Sequence, residues 1–210
     1  LVLHSGVRGQ GQRLLRDSCI TEVPKDRWDW RYFYTQDRTQ PGRHYCKWGG
    51  FISDVDKFDP LFFQISPLEA RSLDPQERLF LEHAWIALED ASYRCEDIHK
   101  KTDGRVGVYA GAMYGHYQLI GLEASSRGLP NVAGSSFASI ANRVSYFMDF
   151  HGPSMTVDTM SSSSLTAFHL ACQDLKSGRI DLGIAGGVNV SIHPYKYEML
   201  SVCQFISSRG

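Results

Sequence analysis

Ser161 is the residue whose position in this sequence best suits a nucleophile. It follows SMTVD, which predicts a strand ending at Asp158, and precedes SSSLTAFHLACQDLKSG, which predicts a helix ending at Gly178. A tight turn between the two places Ser161 at or just before a helix N-terminus, where unpartnered N–H groups and the positive end of the helix dipole lie. This geometry suits a nucleophile whose product carries charge beside backbone amides.

The spacing alone leaves two interpretations of Ser161 open. A serine before a helix is most often an N-cap, and a run such as Ser161–Ser164 commonly serves turns and caps. A cysteine at this place would have a lowered pKa, whereas a serine hydroxyl barely ionises without a neighbouring base. A conventional serine hydrolase is disfavoured, because no G-x-S-x-G elbow occurs.

The segments around this turn predict an α/β layered fold. RVGVYAGAM and DLGIAGGVNV are typical of buried strands, and SSFASIANRVSYFM is typical of a helix. Another helix begins at Pro75, with Asp74 as its N-cap and Glu77 completing a capping-box pattern. EDIHKKTDG is polar and predicts a loop. Strands alternating with helices at this spacing favour layers of helix and sheet.

The first fifty residues show no regular period. Residues 1–17 predict neither a strand nor a helix and form an unassigned lead segment before a domain of residues 18–210. Residues 18–50 are irregular and rich in Trp and Tyr, which predicts packing over a core or a subunit interface.

The composition excludes several classes of partner. There are 22 Lys and Arg residues against 23 Asp and Glu residues, so no excess charge indicates nucleic acid or an anionic membrane surface. No apolar run reaches the ~20 residues of a membrane span. The five scattered cysteines form no CxxC pair, so we expect neither a zinc site nor a disulfide framework, and we expect a cytoplasmic location.

The segment DTMSSSSL resembles the ketosynthase nucleophile motif D-T-[AM]-C-S-S-S-L, with Ser161 on the cysteine. Its flanks GPSM, HLACQDLKSG and IAGGVNV resemble the same family, as do RWDW, KWGGFISDVDKFDPLFFQISPLEARSLDPQERLFLEHAWIALEDA, GVYAGAMYGHYQL and ANRVSYFMDFHGPS. Residues 18–210 thus resemble the N-terminal half of a polyketide-type β-ketoacyl synthase. MYGHYQL and VDTM…SSSL favour modular synthases whose acyltransferase acts in trans.

The resemblance implies a thiolase-like fold and an acyltransferase function. In the family, the nucleophile takes an acyl chain from the phosphopantetheine arm of an acyl carrier protein, and two histidines assist a decarboxylative Claisen condensation. The resemblance therefore implies an acyl carrier protein as partner, no directly bound cofactor, and a homodimer through the strand Ser154–Asp158. Met160, Met113 and Asn142 are candidate substrate-binding residues; core packing for the methionines and a structural role for Asn142 remain the alternatives.

Three departures from the family pattern bear on activity. Serine replaces the cysteine, so we expect condensation to be impaired. The family's catalytic histidine motifs, of HGTGT type and GH type, fall after the last residue of this sequence. The IAIIG-like opening strand has no match in residues 1–17. The alternative function is a catalytically silent or truncated ketosynthase-like scaffold or docking domain.

The remaining candidates have structural interpretations. His116, His151 and His193 match neither catalytic motif, and we expect local hydrogen bonds to satisfy them. His169 is expected to pack. Gly186-Gly187 predicts close strand packing, because no GxGxxG spacing with a helix N-terminus follows.

Overall fold

The computed structural model describes residues 2–3, 20–129, 133–134 and 136–209. The described residues divide into two compact units. The first lies within Leu1–Ser5, Asp56–Gly115 and Val132–Asn189, and the second within Gly6–Val55, His116–Asn131 and Val190–Gly210.

The elements follow one another along the chain as β1 (Val2–Leu3), β2 (Ile20–Glu22), a 3₁₀ turn (Trp30–Tyr32), β3 (Trp48–Gly50), α1 (Pro67–Ser72), α2 (Pro75–Asp90), α3 (Cys95–Thr102), β4 (Val106–Gly111), α4 (Tyr117–Ser126), α5 (Phe137–Phe147), β5 (Ser154–Val157), α6 (Ser163–Lys176), β6 (Leu182–Gly187) and α7 (Tyr195–Val202). The second unit contains β2, the 3₁₀ turn, β3, α4 and α7, and the first contains the others.

A parallel sheet forms the centre of the first unit, with strand order β1-β6-β4-β5. Every residue of β4 is buried, which explains its continuous apolar sequence. Val106, Val108 and Ala110 share a core cluster with buried residues of α2 and α5. Tyr109 belongs to a different cluster that holds Ala167 of α6. Because side chains of a strand alternate between the two faces of the sheet, helices cover both faces, and the expected α/β layered fold is confirmed.

The predicted start of α2 is confirmed. Pro75 is the first helical residue, and the Asp74 carboxylate accepts a 2.8 Å hydrogen bond from the Gln76 amide. The Glu77 side chain, in the same turn, accepts hydrogen bonds from Ser139 and from the guanidinium of Arg143 on α5. The first turn of α2 is thereby tied to α5.

The prediction of a loop at EDIHKKTDG was wrong, because α3 covers most of it. The segment is polar because only Ile98 and Thr102, one turn apart, are buried. Acidic residues in the first turn and basic residues in the last turn complement the helix dipole. Such a helix holds too few apolar residues for its buried face to be recognised from the sequence.

The expectation of no strand in residues 1–17 was wrong at Val2–Leu3, which pair in parallel with Gly183 and Ile184 of β6. Two residues are too few for an alternation to show in sequence. Residues 4–17 lie outside the described residues.

The aromatic stretch packs within the second unit. Trp28 is buried with Val23, Cys46 and Tyr197, and its ring meets that of Tyr197 edge-on at 5.2 Å. The predicted packing role of this stretch is thus confirmed for Trp28. No helix among the described residues has the length and apolar character that crossing a bilayer requires.

Candidate active site

Ser161 lies in the turn that joins β5 to α6, immediately before the N-cap Ser162. It is exposed, and among the described residues no hydrogen bond engages its hydroxyl. Met160, just before it, has a φ of +60°, a left-handed conformation that few non-glycine residues adopt. The chain thus bends sharply at the residue preceding the candidate nucleophile.

Neighbouring hydroxyl and carboxylate groups hold this bend. The Asp158 carboxylate accepts from the Met160 amide at 2.9 Å. The Ser163 hydroxyl donates to the Met160 carbonyl at 2.6 Å and accepts from the Thr159 amide at 2.9 Å. The Ser162 hydroxyl donates to the Thr159 carbonyl at 2.7 Å. Ser162 and Ser163 therefore do the turn chemistry typical of a serine run, and the Ser161 hydroxyl takes no part in it.

Two glycines let α6 begin directly on the strand ends. A Cβ added to Gly111, at the end of β4, would lie 2.6 Å from the Ser163 carbonyl carbon and the Ser164 nitrogen. One added to Gly187, at the end of β6, would lie 2.8 Å from the Ser164 Cβ. The sequence predicted that Gly187 permits close strand packing, whereas its closest neighbour is the start of a helix. We call Gly111 and Gly187 the glycine floor of the site.

An open cavity of about 470 Å³ surrounds Ser161. The three strand ends and the first turn of α6 supply its lining, which comprises Gly111, Ala112, Met113, Tyr114, Met160, Ser161, Ser163, Ser164, Gly187, Val188 and Asn189. Of the predicted site residues, Ser161, Met160 and Met113 come together here. Asn142 does not: it is exposed on α5 and is absent from the lining, so its substrate-binding role stays a prediction.

No histidine lines this cavity among the described residues. His151 pairs with Asp149 at 3.1 Å, and His193 pairs with Glu123 at 3.0 Å, as their expected structural roles require. The expectation that His169 packs was wrong, because it is exposed on α6.

His116 begins α4 and its ring meets the Tyr195 ring edge-on at 5.6 Å. Burial, together with the neighbouring His193 and Lys196, lowers its pKa to about 4. An imidazole of this kind is neutral at pH 7, which fits the structural role expected of it.

The chemistry available at Ser161 follows from this geometry. The positive end of the α6 dipole lies at this turn and favours negative charge beside the Ser161 hydroxyl. The Ser163 amide itself already donates to the Met160 carbonyl at 3.1 Å. Among the described residues, the cavity lining contains no histidine, lysine, arginine, aspartate or glutamate. The site therefore offers electrostatic support for acyl transfer without a general base of its own.

Sequence reading missed Tyr114 and Asn189 of the cavity and the buried Gln76 that supports it. The Gln76 side chain donates a 2.6 Å hydrogen bond to the Tyr114 carbonyl. Gln76 could have been identified from the sequence because it lies two residues after the N-cap Asp74. A polar residue at that point of a helix has a fixed position.

The family model described as "Beta-ketoacyl synthase, N-terminal domain" matches residues 10–210. The chain belongs to this family. Among curated β-ketoacyl synthase relatives, it is 56% identical over 202 residues to polyketide synthase PksL of Bacillus subtilis (strain 168), and 54% identical over 200 residues to polyketide synthase ThaG of Burkholderia thailandensis. These alignments cover 93% and 94% of the chain but only 4% of either relative.

Solved β-ketoacyl synthase structures agree with this assignment. The oxazolomycin ketosynthase domain OzmH KS7 of Streptomyces albus JA3453 matches with a TM-score of 0.86 and 53% identity, over 91% of this chain and 33% of that one. A cysteine-to-serine mutant of the ketosynthase from module 6 of the Bacillus subtilis 168 bacillaene synthase matches with a TM-score of 0.84 and 35% identity, over 97% of this chain and 33% of that one. The resemblance to polyketide synthase ketosynthases and the thiolase-like fold are thus confirmed.

Proposed function

We propose that this chain supplies the acyl-acceptor site of a polyketide synthase ketosynthase, with Ser161 as the accepting residue. The observation that carries the proposal is the position of Ser161: an unengaged hydroxyl on a left-handed turn, at a helix N-terminus, facing an open cavity. The acyl donor is an acyl carrier protein, whose phosphopantetheine arm presents the chain as a thioester.

The loading step is an acyl transfer from sulfur to oxygen. The Ser161 oxygen attacks the thioester carbonyl carbon, the C–S bond breaks, and the carrier thiol leaves with the serine proton. The result is an oxygen ester on Ser161. In the condensation that follows, the carbanion from a decarboxylated malonyl-type extender attacks that ester, forming the new C–C bond and releasing the Ser161 oxygen.

Both steps are impaired in this chain relative to a cysteine at position 161. A serine hydroxyl needs a base to become a good nucleophile, and no histidine, lysine, aspartate or glutamate among the described residues lines the cavity. The alkoxide of an ester is also a poorer leaving group than a thiolate. The same two facts favour the second candidate function, a catalytically silent scaffold that docks carrier proteins without condensing their cargo.

Intact-mass measurement tests the acyl-acceptor role. The natural protein that carries this chain is incubated with a panel of acyl-thioesters, beside its Ser161→Cys and Ser161→Ala variants. We expect a slowly formed acyl adduct on the unaltered protein, a faster one on Ser161→Cys and none on Ser161→Ala. The variant Ser177→Ala, at the exposed C-cap of α6, is a matched control that leaves the cavity intact.

The other outcomes separate the two functions. An adduct on Ser161→Cys alone identifies a ketosynthase scaffold that is inert with serine. No adduct on any variant contradicts the acyl-acceptor role. An elongation rate of the unaltered protein equal to that of Ser161→Cys contradicts the predicted impairment.

We also propose that two copies of the chain associate through β5. This strand pairs with β4 along one edge, and no other strand of the described residues pairs with it. The Pro153 carbonyl accepts from Val108 of β4, and the Val157 carbonyl accepts from Ala112, the residue after β4. Because backbone groups alternate in direction along a strand, those of Ser154 and Thr156 point to the open edge. An open edge of this kind is a template for pairing with a second copy.

Thr156→Pro tests this association, because it removes an N–H from the open edge and none from the edge paired with β4. We expect a dimer for the unaltered protein and for the control Thr156→Val, and a monomer for Thr156→Pro, by size-exclusion chromatography with light scattering. A monomeric unaltered protein contradicts the proposal.

A further inference from the structure

One part of the lining of the Ser161 cavity, which we call the Met113–Tyr114 wall, is the loop after β4, and this loop leaves the sheet at Ala112. The Ala112 amide still donates to Val157 of β5 at 3.2 Å. Met113 and Tyr114 follow it, lie outside any helix or strand, and line the cavity. The sheet therefore fixes where the wall begins but not where Tyr114 lies.

Gln76 supports this loop from behind. Its side-chain amide donates a 2.6 Å hydrogen bond to the Tyr114 carbonyl, while Gln76 itself is 2% exposed and does not line the cavity. Because a carbonyl can only accept, the bond fixes which way the Gln76 amide points. A buried donor of this kind holds its partner firmly, since neither group can exchange to water without cost.

Gln76 is in turn held by the start of α2. The Asp74 carboxylate caps its backbone amide at 2.8 Å, and the adjacent Glu77 is tied to Arg143 and Ser139. A chain of partly buried polar contacts therefore runs from α5 through the first turn of α2 to the Tyr114 carbonyl. Its last member, Gln76, has a fixed place from which to hold the loop.

We propose that Gln76 is a positioning residue that sets how wide the Ser161 cavity is and so which acyl groups enter it. The acyl-selectivity part of this inference rests on the proposed function. Without the Gln76 hydrogen bond, the Met113–Tyr114 wall can move away from the cavity. Access to position 161 then increases more for larger acyl groups than for smaller ones.

The test measures size discrimination at position 161 in two ways. In the natural protein with Ser161→Cys, the new thiol is labelled with N-ethylmaleimide or with a long N-alkyl maleimide, and labelling is quantified on the peptide that carries position 161. The same protein is loaded with short and long acyl-thioesters. For each pair, we divide the rate with the larger reagent by the rate with the smaller one. An overall loss of stability does not change this large-to-small ratio.

Two substitutions remove the donor. Gln76→Met keeps the approximate size of the side chain, and Gln76→Leu is a second helix-compatible replacement without a donor should Gln76→Met fail to fold. We expect both to raise the large-to-small ratio about threefold to tenfold, the change that loss of one hydrogen bond gives. Gln118→Met, the same exchange at an exposed position of α4, and Ser66→Ala, which removes the N-cap bond of α1, are the controls and should leave the ratio unchanged.

Unchanged ratios in the Gln76 variants, with both reagent pairs, overturn the inference. If acyl-thioesters load no variant while maleimide ratios still rise, the proposed function fails and the positioning role of Gln76 stands. If the controls shift the ratio as much as the Gln76 variants do, the effect is one of general stability and the inference is again overturned.

Discussion

Gly111 and Gly187 are register partners at the ends of β4 and β6, and the first turn of α6 rests on both. Contacts of 2.6 and 2.8 Å for an added Cβ are shorter than real Cβ atoms show, and their partners at Gly111 are backbone atoms that cannot swing aside. The place of Ser161 is therefore set by how closely this helix start approaches the sheet.

Gly111→Ala is expected to destabilise the protein by about 1–3 kcal/mol, because the added methyl group overpacks the start of α6. It should also abolish acyl loading at position 161 in the Ser161→Cys background. Urea unfolding and intact-mass measurement check the two effects. Gly50→Ala is the control, since a Cβ there meets nothing within 4 Å. Full loading of Gly111→Ala would show that α6 can shift without harm.

Tyr109→Phe is expected to lower the free energy of unfolding by about 1.5–3 kcal/mol. The Tyr109 hydroxyl of β4 donates a 2.5 Å hydrogen bond to the Asp174 carboxylate of α6, and bonds to charged groups are among the stronger ones. Urea unfolding at pH 7 checks this, with Tyr146→Phe as control because Tyr146 is 88% exposed. Equal losses in the two variants would contradict a special role for this bond.

The pH dependence of Tyr109 gives an independent check. Burial and the bond to Asp174 raise the Tyr109 pKa above its usual value. The folded state thus favours the neutral phenol, and the stability it contributes is present below pH ~10 and lost as the pH rises above it. Between pH 9 and pH 11, the unaltered protein should lose more stability than Tyr109→Phe does. Parallel curves would contradict this assignment.

Arg143→Met is expected to cost about 3–5 kcal/mol, because it leaves the Glu77 carboxylate buried without its cation. The Glu77 side chain is only 4% exposed, so water cannot replace the guanidinium. The double variant Glu77→Met with Arg143→Met should be more stable than Arg143→Met alone, since it buries no unpaired charge. Chemical denaturation of the four proteins checks this. A double variant less stable than Arg143→Met would contradict this account, because Glu77 would then stabilise the fold even without its cation.

His116 should make stability fall in acid. Burial and the nearby His193 and Lys196 lower its pKa from its ordinary value near 6.5 to about 4, so the folded state disfavours the charged ring. The stability it contributes is present above pH 6.5 and lost as the pH falls toward 4. Urea midpoints at several pH values in this range should decline less steeply for His116→Gln than for the unaltered protein. Equal slopes would assign the acid loss to other groups, such as His44, whose pKa burial also lowers.

Sequence reading placed the elements whose signals are local. The strand before Asp158, the helix after Ser161 and the start of α2 at Pro75 each carry a period or a cap within a few residues. The helix α3 was missed because its two buried residues are outnumbered by solvated charges.

Contacts between distant segments were beyond sequence reading. The approach of α6 to Gly111 depends on how a helix crosses strand ends more than fifty positions earlier in the chain, and a glycine in a strand can equally mark a bulge or a bend. The Gln76–Tyr114 bond joins residues 38 positions apart for the same reason. Asn142 stays a prediction: a family motif placed it near the pocket, and in the structure it is exposed on α5 outside the cavity lining.

The glycine floor tolerates no substitution, whereas the Met113–Tyr114 wall of the same cavity does. Every replacement of Gly111 or Gly187 adds at least one carbon. No substitution can therefore change the space between the strand ends and α6 by less than a methyl group. The Met113–Tyr114 wall is made of side chains and a loop, and many residues of graded size fit there. A library meant to broaden the range of acyl groups should therefore diversify this wall and leave both glycines unchanged.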